Sequence, residues 1–589
     1  MRSSSRFHGA LMLILTLVCV VPLSFVAAYG QSGQPAAPPA PVRTAVKEPA
    51  KETIAGEIVD ETGHPLMNIA VTVIGTSGER TTKSEATDEN GKFLVRDLQP
   101  GAYRMQFRAP AYVQDENFSR TPDGSPRVFR TGEHVAVTLS KGGVITGTVT
   151  DQSGNPIVGV NVTAVRIRQT EEPSVSVDSG GSNRITDDRG IYRLYGLRQG
   201  RYYVYAGAGN TYGRPGPFDK DAATYYPSSN RDTAAIVNVL ASQEVPGIDI
   251  RYRGERGFSI SGSVTGAVER FVSFSLVLSG NPTPLASAFS QEVDGRNVFA
   301  FSSLANGDYK IVASSSDTKS GRVASGTANV SIKNGDIEGV VIKLSPMATI
   351  SGRVVISQST DAKCEAMAVP GPENIMLSAR PEKKTVDNVY VNAANDVSAQ
   401  PNGEFRITGL LGGSYRLRSF LPSDEAFIRS IEGPRPQAGA AARAANTPPE
   451  SIALADGENL SGLTINAVGG GGSAYVHAEL TGFDRENSIV PHLYLVPSEK
   501  ERADETLRFA ESSISDDGSF VFRNLAPGKY FLVSRTLKDP RAVRPLFWDA
   551  RERASMLTDG AAGGLAVEIK PCQSNRDLAV ILGPNGLIK

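Results

Sequence analysis

The chain is poor in the residues that build metal centres and disulfide frameworks, with 3 cysteines, 5 histidines and 1 tryptophan in 589 residues. Cys19 lies inside an N-terminal apolar run, which leaves Cys364 and Cys572 for the folded part. Two cysteines cannot frame a fold. They either make one bridge between distant parts of the chain or are buried as small apolar side chains. Of His64, His134, His477 and His492, none is followed by Glu three residues later, so the ligand spacing of a zinc peptidase is missing. His64 in a turn and His134 beside a terminal strand read as surface residues. The charge is balanced, 61 basic against 62 acidic residues for a net charge of −1, and no basic stripe follows any segment; nucleic acid is excluded as a partner. No cofactor motif is present.

Long apolar runs are missing too, except at the N-terminus. There Arg2 and Arg6 precede an apolar stretch from about Ala10 to Ala28 that ends in small residues, the layout of a secretory signal cleaved after Ala28 or Gly30. An uncleaved anchor is the alternative, but Pro22 and the small residues at its end favour cleavage, after which no membrane span remains. Val18 stands where a lipoprotein signal needs a small residue before Cys19, which argues against lipid anchoring. Residues 31–52 pass through Gln34-Pro35-Ala36-Ala37-Pro38-Pro39-Ala40-Pro41, too poor in large apolar side chains to bury a core, and read as a linker. The localisation expected is secreted, periplasmic or outer-envelope associated.

What the chain has in abundance is self-similarity. An aromatic, a Leu five residues on, a Gly eight on and a Tyr ten on occur five times: Phe93/Leu98/Gly101/Tyr103, Tyr192/Leu197/Gly200/Tyr202, Phe299/Leu304/Gly307/Tyr309, Phe405/Leu410/Gly413/Tyr415 and Phe520/Leu525/Gly528/Tyr530. An opening motif, Ile-x-Gly-x-(Ile/Val), precedes them as Ile54-Gly56-Ile58, Ile145-Gly147-Val149, Ile260-Gly262-Val264 and Ile350-Gly352-Val354, with Val476-Ala478-Leu480 as a degraded fifth. Apolar residues alternate at period two around these motifs, the pattern of half-buried strands, and no helix of consequence is expected. The structural core is assigned to Phe93, Leu98, Gly101, Tyr103, Tyr192, Tyr202, Tyr309, Tyr415 and Tyr530. The recurrent Gly also reads as a connection needing positive φ. The fold class predicted is all-β: five tandem seven-stranded antiparallel β-sandwiches of prealbumin or immunoglobulin type at 53–141, 142–255, 256–347, 348–468 and 469–589, after a signal at 1–30 and the linker.

The motif order carries a resemblance. Asp60/Gly63/Pro65 with Thr87-Asp88/Gly91/Phe93, and Asp151/Gly154/Pro156 with Thr186-Asp187/Gly190/Tyr192, resemble the carboxypeptidase regulatory-like family, a transthyretin-like sandwich of the carbohydrate-binding-like fold. The likeness is weakest in the third unit, where Asn297 replaces the Gly before the aromatic. The resemblance implies an accessory role beside a catalytic domain or receptor, and no such domain is visible in this chain.

Candidate sites are few. Ser316-Asp317-Thr318-Lys319 spells Ser-x-x-Lys without a partner motif or a helix to open. The glycines from Gly469 to Gly472 lack the Lys and helix of a phosphate loop and read as a hinge between the fourth and fifth units. The acidic turns at Asp88, Asp187 and Asp516-Asp517 are explained by turn propensity rather than calcium. The binding candidates are aromatics on insertions: Tyr212, Arg214, Tyr225 and Tyr226 in the second unit, and Phe547 and Trp548 in the fifth. They form either a sugar-stacking surface or a cap folded over the sandwich edge. The functions weighed are therefore a non-catalytic polysaccharide-binding protein, a spacer or protein-interaction scaffold with an envelope protein as partner, and an accessory subunit of an enzyme.

Overall fold

The computed structural model describes residues 52–588 apart from 77–80, 100, 116–117, 119–126, 168–182, 209–216, 267–270, 279–283, 318–320, 366–368, 370, 383–395, 422–425, 434–450, 481–489, 514–518, 538–544 and 584–587. In each repeat two sheets face each other across one apolar cluster. In the first, Glu52–Asp60 lies between Lys92–Leu98 and His134–Lys141 in one sheet, and Ala70–Gly75 pairs with Ala102–Arg108 in the other. Ile54, Ile58, Val71, Val73, Phe93, Val95, Leu98 and Tyr103 fill the space between them, each at most 4 % exposed.

The expected antiparallel sheets are not purely so. In every repeat the opening strand runs antiparallel to the aromatic strand but parallel to the closing one, as with Ala55–Asp60 beside His134–Leu139. First and last strands of a unit therefore lie side by side. This arrangement explains the opening glycines. A Cβ at Gly56, Gly262 or Gly352 would overlap the carbonyl oxygen of Val135, Val340 or Leu463 on the closing strand, and one at Gly147 that of Ile248 just before it.

The fifth opening strand, Gly472–Leu480, sits two residues away from the expected register. Val476 pairs with Phe520 as Gly56 pairs with Phe93, so Ala474, Val476 and Ala478 correspond to Ile54, Gly56 and Ile58. The helix-free expectation also fails. Ala550–Gly563 forms a 14-residue helix, α1, with Asp549 accepting from the backbone amides of Arg551 and Glu552 at 2.8 and 3.4 Å. Met556 seats it on a second apolar cluster on the outer side of the fifth sandwich, with Tyr494, Val496, Phe509, Val533, Phe547 and Trp548.

The aromatic-Leu-Gly-Tyr register has one conformation throughout. The five glycines have φ between 154° and 157°. Gly101 corrects the core assignment. It is only half-buried, lies outside the apolar cluster that takes in Phe93, Leu98 and Tyr103, and a Cβ added there would meet nothing within 4 Å. With no side chain to bury, Gly101 serves the backbone alone: its φ of 154° is one that a residue with a Cβ rarely adopts. Each Tyr hydroxyl donates to the carbonyl four residues back: Tyr103 to Gln99, Tyr202 to Arg198, Tyr309 to Ala305, Tyr415 to Leu411 and Tyr530 to Ala526, at 2.6 to 2.9 Å. The ring is core and the hydroxyl ties the connection down. Immediately before each Leu, Asp97, Gly196, Ser303, Gly409 and Asn524 take φ of 56° to 76° at a bulge in the strand pair. Asp, Asn and Gly are the residues that enter the left-handed region most cheaply.

Candidate functional site

The aromatics singled out as a stacking surface have different fates. Tyr212 and Arg214 lie outside the described residues. Tyr225 is not on a loop. It pairs with Tyr205 in a short strand, is 8 % exposed, and packs against the rings of Tyr205 and Tyr203 at 5.1 and 6.2 Å. Burial pushes its phenol well above the usual range. Tyr226, partly buried, packs against the apolar cluster of the second sandwich, which does not include Tyr225. Phe547 and Trp548, each 7 % exposed, lie in the turn Leu546–Trp548 that leads into α1, and Phe547 stacks on Phe509 at 5.6 Å. Tyr225, Phe547 and Trp548 are buried, and Tyr226 is partly so.

Trp548 does more, because it faces the neighbouring unit. The guanidinium of Arg416, on the Tyr strand of the fourth sandwich, sits 5.8 Å from the Trp548 ring centre. Arg416 is only 4 % exposed; its Nε donates to Glu382 at 2.7 Å and its Nη1 to Thr506 of the fifth sandwich at 3.2 Å. Arg418 and Glu511 approach to 4.0 Å across the same joint, and Asn524 donates to the carbonyl of Ala426 at 3.0 Å. Cys364 of the fourth sandwich is disulfide-bonded to Cys572 of the fifth, and Cys572 donates its amide to the carbonyl of Gly470 at 3.3 Å. Gly470, expected in a hinge, is thus held within a covalently closed joint.

The other joints use the same part of each repeat. The bulge residue before the Leu meets the preceding sandwich every time. Gly196 lies against Ala111, Ser303 donates to the carbonyl of Asp219, and Gly409 lies against Val323. Asn524 to Ala426 is the fourth instance. A further contact joins the first and fourth sandwiches: Asp396 accepts from Arg104 at 3.2 Å and Arg380 at 3.5 Å, and Thr76 meets Ser398 at 2.7 Å between hydroxyls. Sequence reasoning missed these residues. The only signal was the run of left-handed-tolerant types at one register position.

The acidic turns are internally satisfied where they are described. Asp88 accepts from the amides of Asn90 and Lys92, and Asp187 from those of Arg189 and Ile191. The amide of Ile191 is the main cause that holds the Asp187 carboxyl below its ordinary range. Asp516 and Asp517, like Thr318 and Lys319 of the Ser-x-x-Lys string, lie outside the described residues. Among the described residues no three His, Cys, Asp or Glu side chains gather as metal ligands. His492 is 7 % exposed, with neither ring nitrogen hydrogen-bonded. Burial lowers its pKa from 6.5 to about 4.

Residues 53–131, which comprise most of the first sandwich, match the carboxypeptidase regulatory-like domain family. The first sandwich is a carboxypeptidase regulatory-like domain. No curated protein matches the chain in sequence. Among solved structures, the chain is similar to the Bacillus anthracis TIE protein at 16 % identity and a TM-score of 0.14, over 50 % of this chain and 51 % of that one, about half its length. A minor pilin of Streptococcus agalactiae is similar at 13 % identity and a TM-score of 0.18, over 34 % of this chain and 94 % of the pilin. The major pilin subunit of Bacillus cereus is similar at 12 % identity and a TM-score of 0.14, over 50 % and 99 %. What the carboxypeptidase regulatory-like domain shares with the four units after it is the aromatic-Leu-Gly-Tyr connection and its hydroxyl tether.

Proposed function

We propose that this protein is a non-catalytic interaction scaffold, exported through its N-terminal signal and exposed at the cell envelope. The observation that carries this reading is the joint: each of the four downstream sandwiches sets its bulge residue against the sandwich before it, and the last joint is closed by Cys364–Cys572. Such joints fix the spacing of domains, which a scaffold needs and an independent string of modules does not. A disulfide between two domains also fits an oxidising compartment. Among the described residues no helix is long and apolar enough to cross a membrane.

Fractionation and thiol titration of the protein from its native host test the reading. Recovery outside the cytoplasm, without residues 1–30 and with no free thiol after denaturation, supports it. A cytoplasmic protein that keeps residues 1–30 and titrates with three free thiols overturns it. Of the aromatics first considered for polysaccharide binding, Tyr225, Phe547 and Trp548 are buried.

A further inference from the structure

In each sandwich the first and last strands are parallel neighbours. Ala55–Asp60 lies beside His134–Leu139 in the first, with six residue pairs, and Thr349–Ser357 beside Asn459–Val468 in the fourth, with eight. The other three repeat the arrangement, the second in two short pieces. Because the two strands are parallel, the chain enters the pair at one end and leaves it at the other. Pulling on the two ends of a sandwich therefore slides one strand along its neighbour, and the evenly spaced bonds of the parallel ladder share the load. An antiparallel pair has entry and exit at the same end, and the same pull opens it one bond at a time.

These ladders lie in series along the chain. Gly142 alone separates the closing strand of the first sandwich, His134–Lys141, from the opening strand of the second, Gly143–Thr150. Leu344 to Met347 separate Ile337–Lys343 from Ala348–Ser357, and Gly470 and Gly471 separate Asn459–Gly469 from Gly472–Leu480. Tension applied at the ends of the chain thus passes from ladder to ladder with little slack. The polar contacts of Arg104 and Thr76 with Asp396 and Ser398 lie across this path and should part first, since partly exposed ion pairs contribute little. The disulfide redirects the path in the last two sandwiches. Cys364 follows the opening strand of the fourth and Cys572 precedes the closing strand of the fifth, Ser574–Leu582, so the load crosses from one strand to the other through the S–S bond. The chain between the two cysteines, a separation of 208 residues, is held out of the path.

We propose that this chain bears tension along its length, with five parallel strand pairs as shear clamps in series and the Cys364–Cys572 bond as a strap that limits how far the last two sandwiches extend. The proposal deepens the scaffold reading and rests on it, since a scaffold exposed at the envelope is what would be pulled.

Single-molecule force spectroscopy of the full chain, held by a handle at each end, tests it with and without a phosphine reductant. The oxidised chain is expected to withhold about 70 nm of contour length that appears on reduction, the extended reach of the strapped segment. Reduction should leave the force at which the first sandwich yields unchanged. That force should be several-fold higher than when the same chain is held through handles at Lys51 and Gln99, because Glu52–Asp60 and Lys92–Leu98 are antiparallel and this pull unzips them. Forces that do not differ between the two geometries overturn the proposal and leave the covalent joint standing. Release of the whole length by the oxidised chain overturns it from the other side, and with it the covalent joint of the scaffold reading.

Discussion

Cys364 in the fourth sandwich is bonded to Cys572 in the fifth, 208 residues further along the chain, and the buried Arg416 of the fourth meets the Trp548 ring of the fifth. The covalent bond and the cation–ring contact hold the same two domains. The chain's single tryptophan therefore reports on this joint.

Breaking the bond should loosen the joint before it unfolds a domain. A disulfide removes conformations from the unfolded chain, with an effect of about 2–4 kcal/mol. Cys572→Ser is expected to lower the calorimetric transition of the fourth and fifth sandwiches and to split it if they melted together. It should leave the transition of the first sandwich in place.

The tyrosine hydroxyl and the tyrosine ring should separate cleanly. Tyr103→Phe removes the hydroxyl that donates to Gln99 and should cost about 1 kcal/mol, whereas Tyr103→Ala also empties core volume and should cost about 3 kcal/mol or more. Calorimetry of the first transition checks both. Equal losses would mean that the ring is not packed as core.

Acid should weaken the fifth sandwich through His492. Its pKa is about 4 in the folded state and 6.5 as the ordinary value, so the unfolded chain takes the proton first. The stability linked to this residue is complete above about pH 6.5 and is lost as the pH falls towards 4, by about 3 kcal/mol in all. Urea unfolding followed by Trp548 fluorescence at several pH values should show this slope, and His492→Phe should flatten it.

The helix cap offers a smaller effect. Asp549→Ala leaves the amides of Arg551 and Glu552 without their acceptor and should cost about 1 kcal/mol, seen as an earlier loss of the Trp548 signal.

Much of this architecture was legible in the sequence because strand alternation and a fixed aromatic-Leu-Gly-Tyr spacing are local signals. Tyr103, Tyr192, Tyr202, Tyr309, Tyr415 and Tyr530 are all buried, as that spacing implies. Gly101 shares the spacing but not the burial, because a recurrent glycine marks a backbone conformation and not an inward side chain. What was not legible depends on contacts between distant segments. Tyr225 and Trp548 look alike on an insertion and on a binding loop, and only the neighbouring Tyr205, Phe509 and Arg416 decide that they are covered. The fifth opening strand slipped by two because a slip of two leaves the inward face unchanged, and Val476 took the place of a glycine. Helix α1 is short of large apolar residues and is held by its cap and by Met556, so periodicity gave little warning. The bulge residues carried a signal in their types, Asp, Gly, Ser, Gly and Asn, but nothing local says that a bulge will touch another domain.

The scaffold account stands on fixed joints, and small-angle scattering of the oxidised chain tests that most directly. The oxidised protein is predicted to give one distance distribution that does not change with temperature below its first melting transition. Cys572→Ser combined with Arg416→Ala should broaden the distribution and raise the radius of gyration while each sandwich stays folded. An oxidised chain whose distribution is already as broad as that of the double variant would contradict the account.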